Sequence, residues 1–278
     1  MCVIESTLLR MPRATSLSPW QRRIQRAQEL ASRYSSASEI LTFYVHMAAF
    51  QENLYGELCQ SLDARAASGY GDLDERESSQ LVSRFGAFVL LAEKRAPAPL
   101  VELTSQLRAG GPAVWSQLLR SAWSASSCSD PQGLLAQVFL QPYAEWLRSR
   151  ATLQPFPGAY AVCPFCQRKP CFGVLRSLGE GAARSLVCSF CMTEWEFRRI
   201  VCPGCGEEND KKLVVFTADE FPCVRVEGCD SCKTYLKTID LTKDGHAEPV
   251  VDELASAPLD LWARERGYAK LHSNLLGL

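Results

Sequence analysis

The chain has 278 residues, 47% of them apolar and 22% charged, and a net charge of −1. That mix belongs to a folded globular protein, and the length leaves room for two or three domains. No apolar run reaches the ~18 residues that would span a bilayer, so no membrane insertion is expected. Residues 1–155 carry 15 basic and 14 acidic groups and the remainder 15 and 17, so neither part is a basic surface for nucleic acid by composition.

At the N-terminus, Met1 to Leu9 runs into Arg10-Met11-Pro12-Arg13 with no apolar core and no small-residue cleavage site. This is not a secretory signal, and a cytoplasmic, reducing location is expected. Residues up to about 15 read as a loose leader. Ser18-Pro19 starts a first helix, with a side-chain cap and proline at its first position. Ser36-Ala37-Ser38-Glu39 fits a capping box before a second helix from Ile40 to Leu62, in which Leu41, Val45, Ala48, Leu54 and Leu58 lie near helical spacing. His46 falls in that apolar run and reads as a packed histidine, not a ligand. Further helices are expected over Asp74–Lys94, Leu100–Leu107, Ala113–Ala125 and Gln132–Arg148. Pro97-Ala98-Pro99, Gly110-Gly111-Pro112 and Asp130-Pro131 mark the breaks between them. Pro142 is expected to kink or divide the last one. The first 155 residues thus form a helical domain with a core large enough to fold alone.

After a linker at Gln154-Pro155-Phe156-Pro157-Gly158 the pattern changes to short strands between cysteine pairs. Ten of the 13 cysteines lie between residues 163 and 232. An odd number in a reducing compartment argues for metal ligation or redox chemistry over disulfides. Cys2, Cys59 and Cys128 stand apart and read as incidental or buried thiols. Four C-x-x-C pairs occur: Cys163/Cys166, Cys188/Cys191, Cys202/Cys205 and Cys229/Cys232. Two intervening residues let a tight knuckle turn both sulfurs toward one ion, and two knuckles joined by a β-hairpin complete a tetrahedral S₄ site. Within the first two knuckles 21 residues intervene and within the last two 23, but only ten separate the inner knuckles. Neighbours therefore pair, giving Cys163, Cys166, Cys188 and Cys191 as one ligand set and Cys202, Cys205, Cys229 and Cys232 as the other.

The hairpin strands are Phe172–Arg176 with Arg184–Val187 around Gly179-Glu180-Gly181, and Leu213–Phe216 with Val224–Glu227. A further strand follows each closing knuckle, Trp195–Val201 and Tyr235–Leu241. The whole is an internal repeat of about 39 residues. Its expected domains are ribbons at 160–201 and 202–245, then a helical tail at 246–278 carrying Leu254, Leu259, Leu261, Trp262 and Tyr268. The fold class is α+β multidomain: an N-terminal helical bundle, two tandem rubredoxin-like or zinc-ribbon modules and a C-terminal helix. The helices are expected to survive loss of metal while the ribbons unfold.

A glutaredoxin-type dithiol at Cys163-Pro164-Phe165-Cys166 would need a helix after its first cysteine, and Pro170 stops one. Cys171 and Cys223 fall outside the pairs and read as core thiols. Tetrahedral thiolate suits zinc and iron alike, and Cys202-Pro203-Gly204-Cys205-Gly206 has the look of a rubredoxin knuckle. Either metal gives a closed site with no open position for a substrate. With three histidines, no H-E-x-x-H and no phosphate-binding glycine loop, no enzymatic set is found. A rubredoxin-like electron carrier is the alternative these knuckles permit.

The knuckle sequences, above all Ala183–Trp195, Arg199–Cys205 and Cys229–Lys237, together with Val251-Asp252-Glu253-Leu254-Ala255 and Leu259-Asp260-Leu261-Trp262, resemble the formate dehydrogenase accessory proteins, the FdhE family. The strong part covers residues 160–278, and in the helical half Gln141-Pro142-Tyr143 agrees. Asp252-Glu253-Leu254-Ala255 stands where relatives read Asp-Asp-Leu-Ala, and Asn274 precedes Leu275 where they often have proline. The resemblance implies a cytoplasmic assembly factor that binds iron through its C-x-x-C motifs. It would contact the catalytic subunit of a respiratory formate dehydrogenase, a molybdenum or tungsten and selenocysteine enzyme, before twin-arginine export.

Overall fold

The structure, a computed structural model, describes residues 17–61, 70–73, 75–125, 130–152 and 161–274. The leader, the linker at 154–158, Cys2 and Cys128 lie outside the described residues.

Five helices come first: α1 (Pro19–Arg33), α2 (Ser38–Ser61), α3 (Glu75–Arg95), α4 (Val101–Ser124) and α5 (Pro131–Arg150). The start of α1 is as expected. The Ser18 side chain accepts from the Gln21 backbone N–H and the Gln21 side chain accepts from the Ser18 N–H, a complete capping box. The box expected at Ser36–Glu39 is absent. A 3₁₀ turn over Ser35–Ala37 runs directly into α2 there, and its cap residue Tyr34 makes no capping hydrogen bond with its side chain. The expected break at Gly110-Gly111-Pro112 is a kink in α4, with Gly111 at φ 68°. The Trp115 indole N–H donates to the Leu107 carbonyl across it, at 2.6 Å.

Pro142 does not divide α5. Its missing N–H leaves the Val138 carbonyl free within the helix. The buried Gln51 of α2 donates its Nε2–H to that carbonyl at 2.6 Å, so the proline is tolerated because a neighbouring helix replaces the lost bond.

Among the described residues the second half holds seven strands: β1 (Pro170–Leu178), β2 (Gly181–Cys188), β3 (Glu194–Glu196), β4 (Leu213–Thr217), β5 (Val224–Cys229), β6 (Thr234–Asp240) and β7 (Ala269–Lys270). The strand expected over Trp195–Val201 is confined to Glu194–Glu196, and the rest of it turns away as a connection. Between β6 and β7 the tail forms two short helices, α6 (Pro249–Ala255) and α7 (Ala257–Glu265), so it is not helical throughout.

The two hairpins are not beads on a string. They share one sheet of order β3-β2-β1-β6-β5-β4, with β7 beside β6. The seam is the parallel pairing of β1 and β6, where Gly173 lies opposite Thr238. A Cβ on Gly173 would stand 2.5 Å from the Thr238 hydroxyl oxygen. Glycine is required there for close approach of the strands.

The tail ties the halves together. Val251, Leu254 and Ala255 of α6 pack with Ala27 and Leu30 of α1 and Leu41 and Tyr44 of α2. Arg26 of α1 forms a bidentate pair with Asp252 at 2.7 and 3.1 Å. On the sheet side, Lys237 and Lys270 meet Glu253 and Asp260 at 2.5–3.1 Å, all four side chains being nearly inaccessible. Burial alone would raise the Glu253 carboxyl, but the two ammonium groups outweigh it and hold the pKa at about 2.

The seam makes a testable claim. Gly173→Ala should destabilise the chain by about 1–3 kcal/mol through overpacking, and adding Thr238→Ala should recover most of that loss. Chemical unfolding of the two single variants and the double variant would measure the coupling.

Candidate metal centres

Each knuckle closes by the same backbone device. The residue after the second cysteine adopts positive φ: Gln167 at 61°, Met192 at 53°, Gly206 at 78° and Lys233 at 55°. Among the described residues, those three non-glycine positions are the only ones in this region of backbone space. L-residues enter it rarely, so a shared requirement holds them there. In three knuckles the amide of that residue donates back to the first cysteine's carbonyl: Gln167 to Cys163 at 3.0 Å, Gly206 to Cys202 at 2.9 Å and Lys233 to Cys229 at 2.8 Å.

The turns bring the sulfurs together as the spacing predicts. Cys163, Cys166, Cys188 and Cys191 form one cluster and Cys202, Cys205, Cys229 and Cys232 another, each with all its sulfurs within 4.8 Å of one another. Individual contacts are 3.3–3.5 Å in the first cluster and 3.7 Å in the second. A tetrahedral ion with bonds of about 2.3 Å places its sulfurs about 3.8 Å apart, so both clusters fit one zinc or iron ion each. Backbone amides already point at sulfur, Phe165 to Cys163 at 3.4 Å, Phe190 to Cys188 at 3.3 Å and Gly204 to Cys202 at 3.3 Å.

Both closing knuckles carry a further group that the spacing argument missed. Thr193 and Thr234 place their hydroxyls 3.0 Å from the Cys191 and Cys232 sulfurs. The signal was present in the repeat itself, as Cys191-Met192-Thr193 and Cys232-Lys233-Thr234. Burial opposes a Cys232 thiolate, but the Thr234 hydroxyl and amide outweigh it and hold that thiol at about 7. Burial pushes Cys202 up to about 12, and burial with the neighbouring sulfurs drives Cys188 and Cys191 well above the usual thiol range. Four thiolates so close need a cation among them, which is the chemistry a divalent or trivalent ion supplies.

The surroundings of the two clusters differ. Cys163 and Cys188 are 0% exposed, Cys191 1% and Cys166 7%, and all belong to the same apolar cluster as Phe85, Phe88 and Phe139 of the helices. The first cluster is thus walled by helical residues, which is where the expectation that the helices survive loss of metal meets its sharpest test. Arg168, directly after that knuckle, is buried against the Phe190 ring at 3.6 Å. It donates to the carbonyls of Ala122, Trp123 and Ala125 at 2.7–2.8 Å, capping the C-terminus of α4. In the second cluster Cys202 and Cys229 are buried, Cys232 is half-buried and Cys205 is exposed.

His46 belongs to neither cluster. Cys171 and Cys223 also lie outside both sets, buried in the sheet core. The Cys223 thiol points at Asp252 at 3.8 Å. Cys59 is an exposed thiol on α2.

This asymmetry predicts two-phase metal release. A competing chelator should take one equivalent quickly from the folded, fully loaded protein and the second only as the helices unfold. Colorimetric metal release followed alongside far-ultraviolet circular dichroism reads both phases, and Cys205→Ser should abolish the fast one only. Simultaneous loss of both ions from folded protein would contradict it.

Comparison with known proteins places this geometry in a family. Residues 162–199 match the model of the FdhE central domain and residues 200–276 that of the FdhE C-terminal domain. The FdhE homolog of Aquifex aeolicus is 25% identical over 265 residues, covering 91% of this chain and 94% of that protein. The Pseudomonas aeruginosa homolog is 38% identical over 120 residues, 41% of this chain and 39% of that protein. The Edwardsiella ictaluri homolog is 31% identical over 183 residues, 66% of this chain and 56% of that protein. The chain thus spans nearly all of the Aquifex relative but well under two thirds of the other two. The crystal structure of the FdhE protein from Pseudomonas aeruginosa shares the fold at a TM-score of 0.67 and 23% identity, covering 95% of this chain and 98% of that one. With the central and C-terminal models meeting between the two cysteine clusters, residues 162–276 carry the two domains described for FdhE proteins, on a fold shared with a solved FdhE protein.

Proposed function

We propose that Cys163, Cys166, Cys188 and Cys191 hold one iron or zinc ion and Cys202, Cys205, Cys229 and Cys232 a second. We further propose that the loaded protein is a cytoplasmic assembly factor contacting the catalytic subunit of formate dehydrogenase. The observation that carries this reading is the pair of closed four-sulfur clusters lying within the stretch matched by the FdhE models. Four protein donors per ion leave no open position for a substrate, so the work proposed is binding, not turnover. No helix among the described residues is long and apolar enough to cross a membrane.

We divide the chain into a helical domain at 1–155, ribbons at 160–201 and 202–245, and a tail at 246–278. The family models meet at residues 199 and 200, close to the proposed boundary between ribbons, and keep the tail with the second ribbon.

A rubredoxin-like electron carrier is the second reading, and the exposure of Cys205 favours it, because a surface thiolate brings an iron centre within reach of a redox partner. Protein purified without air separates the metals, since ferric tetrathiolate absorbs visible light and zinc tetrathiolate does not. Deleting the gene should lower formate dehydrogenase activity while the catalytic polypeptide persists. Complementation with Cys163→Ser or Cys202→Ser should not restore activity. Unchanged formate oxidation in the deletion strain would overturn the accessory reading and bring the electron carrier forward.

A further inference from the structure

The second ribbon has two unlike faces. On one, Phe216 packs on Trp262 of α7 with ring centroids 4.8 Å apart, Tyr235 donates to Asp260 at 2.7 Å and Lys237 meets Glu253. The tail covers that face. The other carries Leu213 and Val215 of β4, Arg225 and Glu227 of β5 and Leu236 of β6, which alternate with the covered set along each strand.

The connection after β3 crosses part of this second face, where Phe197 and Val201 pack on Leu186 and Leu236. Between that connection and β4 a groove of about 330 Å³ remains. Its lining includes Cys202 and Cys229 of the second sulfur cluster. Ile200 on one rim is 56% exposed and Val215 on the other 54%. β4 is the end of the sheet, and no described strand pairs its outer edge.

Two arginines of the groove are incompletely matched. Arg184 and Arg225 both pair with the single carboxylate of Glu227, at 2.6 and 2.5 Å. Arg184 is 4% exposed, and its Nε has no hydrogen-bond partner. Arg199 at the rim is exposed and forms no ion pair among the described residues, and Asp210 is the only other carboxylate in the lining. Arg199 and the Arg184 Nε are thus left without an acceptor, beside a sulfur cluster whose thiolates carry the groove's other charge.

We propose that this open face is the docking surface for an extended segment of the client protein that carries an aliphatic and an acidic side chain two residues apart. The proposal rests on the accessory-factor reading. An edge strand supplies main-chain partners for an extended chain. Residues i and i+2 of that chain face the same way, so the aliphatic one packs on Val215 at the mouth of the groove and the acidic one answers Arg199 and the unpartnered Arg184 Nε.

The test uses full-length, metal-loaded protein and fluorescein-labelled peptides with valine or leucine and glutamate at alternate positions separated by serine, beside counterparts with lysine for glutamate. Anisotropy should show binding of the glutamate peptide, weakened at higher salt, and at least about tenfold weaker binding of the lysine peptide. Val215→Asp and Arg199→Glu should each weaken the glutamate peptide by about tenfold, with metal content unchanged, while Val114→Asp on the exposed side of α4 should not. Equal binding of both peptides, or an unaffected Val215→Asp, would overturn the groove. So would a dimer that Val215→Asp dissolves, because a second copy would then be the occupant. Capture of the purified catalytic subunit separates the two ideas. Capture by wild type and Val215→Asp alike leaves the accessory reading standing without the groove, and capture by neither removes the client from both.

Discussion

Four sulfurs around one point have to be supplied by two knuckles more than twenty residues apart, and a single ribbon has too little apolar surface to hold them there. Each ribbon meets that constraint by borrowing a core. The first presses Phe165 and Phe190 of its knuckles into the aromatic interior of the helices, where Tyr70, Trp123 and Phe190 meet edge-on or stacked at 4.5–6.5 Å. The second rests on the tail, through Phe216 on Trp262 and Tyr268. The difference in exposure between the two clusters follows from the size of the borrowed surface. Four helices, α2 to α5, share their core with the first cluster, whereas two short helices cover only one face of the second ribbon.

Buried charge does the aligning that apolar contact alone leaves loose. Asp252 and Glu253 are adjacent in α6 yet serve opposite sides, one pairing with Arg26 of the helical half and the other with Lys237 and Lys270 of the sheet. Removing charges from water is costly, and pairs such as these hold only where every oxygen and ammonium is met. Here they are met: Asn274 donates to the second Glu253 oxygen at 2.8 Å and Tyr235 to Asp260 at 2.7 Å. A shift of α6 by one residue would strand all of these groups at once, so the network sets register between the halves.

The cysteine pairing was legible because it is local arithmetic, two residues inside a knuckle and a hairpin's length between knuckles. The hairpin strands were legible for the same reason, as short β-like runs such as Leu213–Phe216 and Val224–Glu227. What could not be read depends on partners far along the chain. Pro142 looked like a break because nothing near it announces that Gln51 will take the freed carbonyl. Nothing in the local sequence singles out Arg168, and its role emerges only where α4 ends 40-odd residues earlier in sequence. The merging of two modules into one sheet was hidden in a single glycine, since Gly173 is ordinary in a strand until Thr238 lies across it. The charged pairs of the tail were seen as part of a family pattern, but their physical use required the fold.

One strand gathers these threads. β6 pairs with β5 inside its own ribbon, with β1 across the seam and with β7 of the tail. Its residues alternate in task as they alternate in direction. Tyr235 and Lys237 reach down to Asp260 and Glu253, while Thr234, Leu236 and Thr238 face the other way. On that upper side Thr234 touches the Cys232 sulfur, Leu236 floors the groove and Thr238 sits at the seam against Gly173. A chain segment pressed onto Leu236 therefore lies two residues from the hydroxyl that bonds a metal-site sulfur and two from the contact that joins the ribbons. The opposite face of β6 is clamped by buried ion pairs, so the groove, the sulfur cluster and the seam share the side of the strand that those pairs leave free.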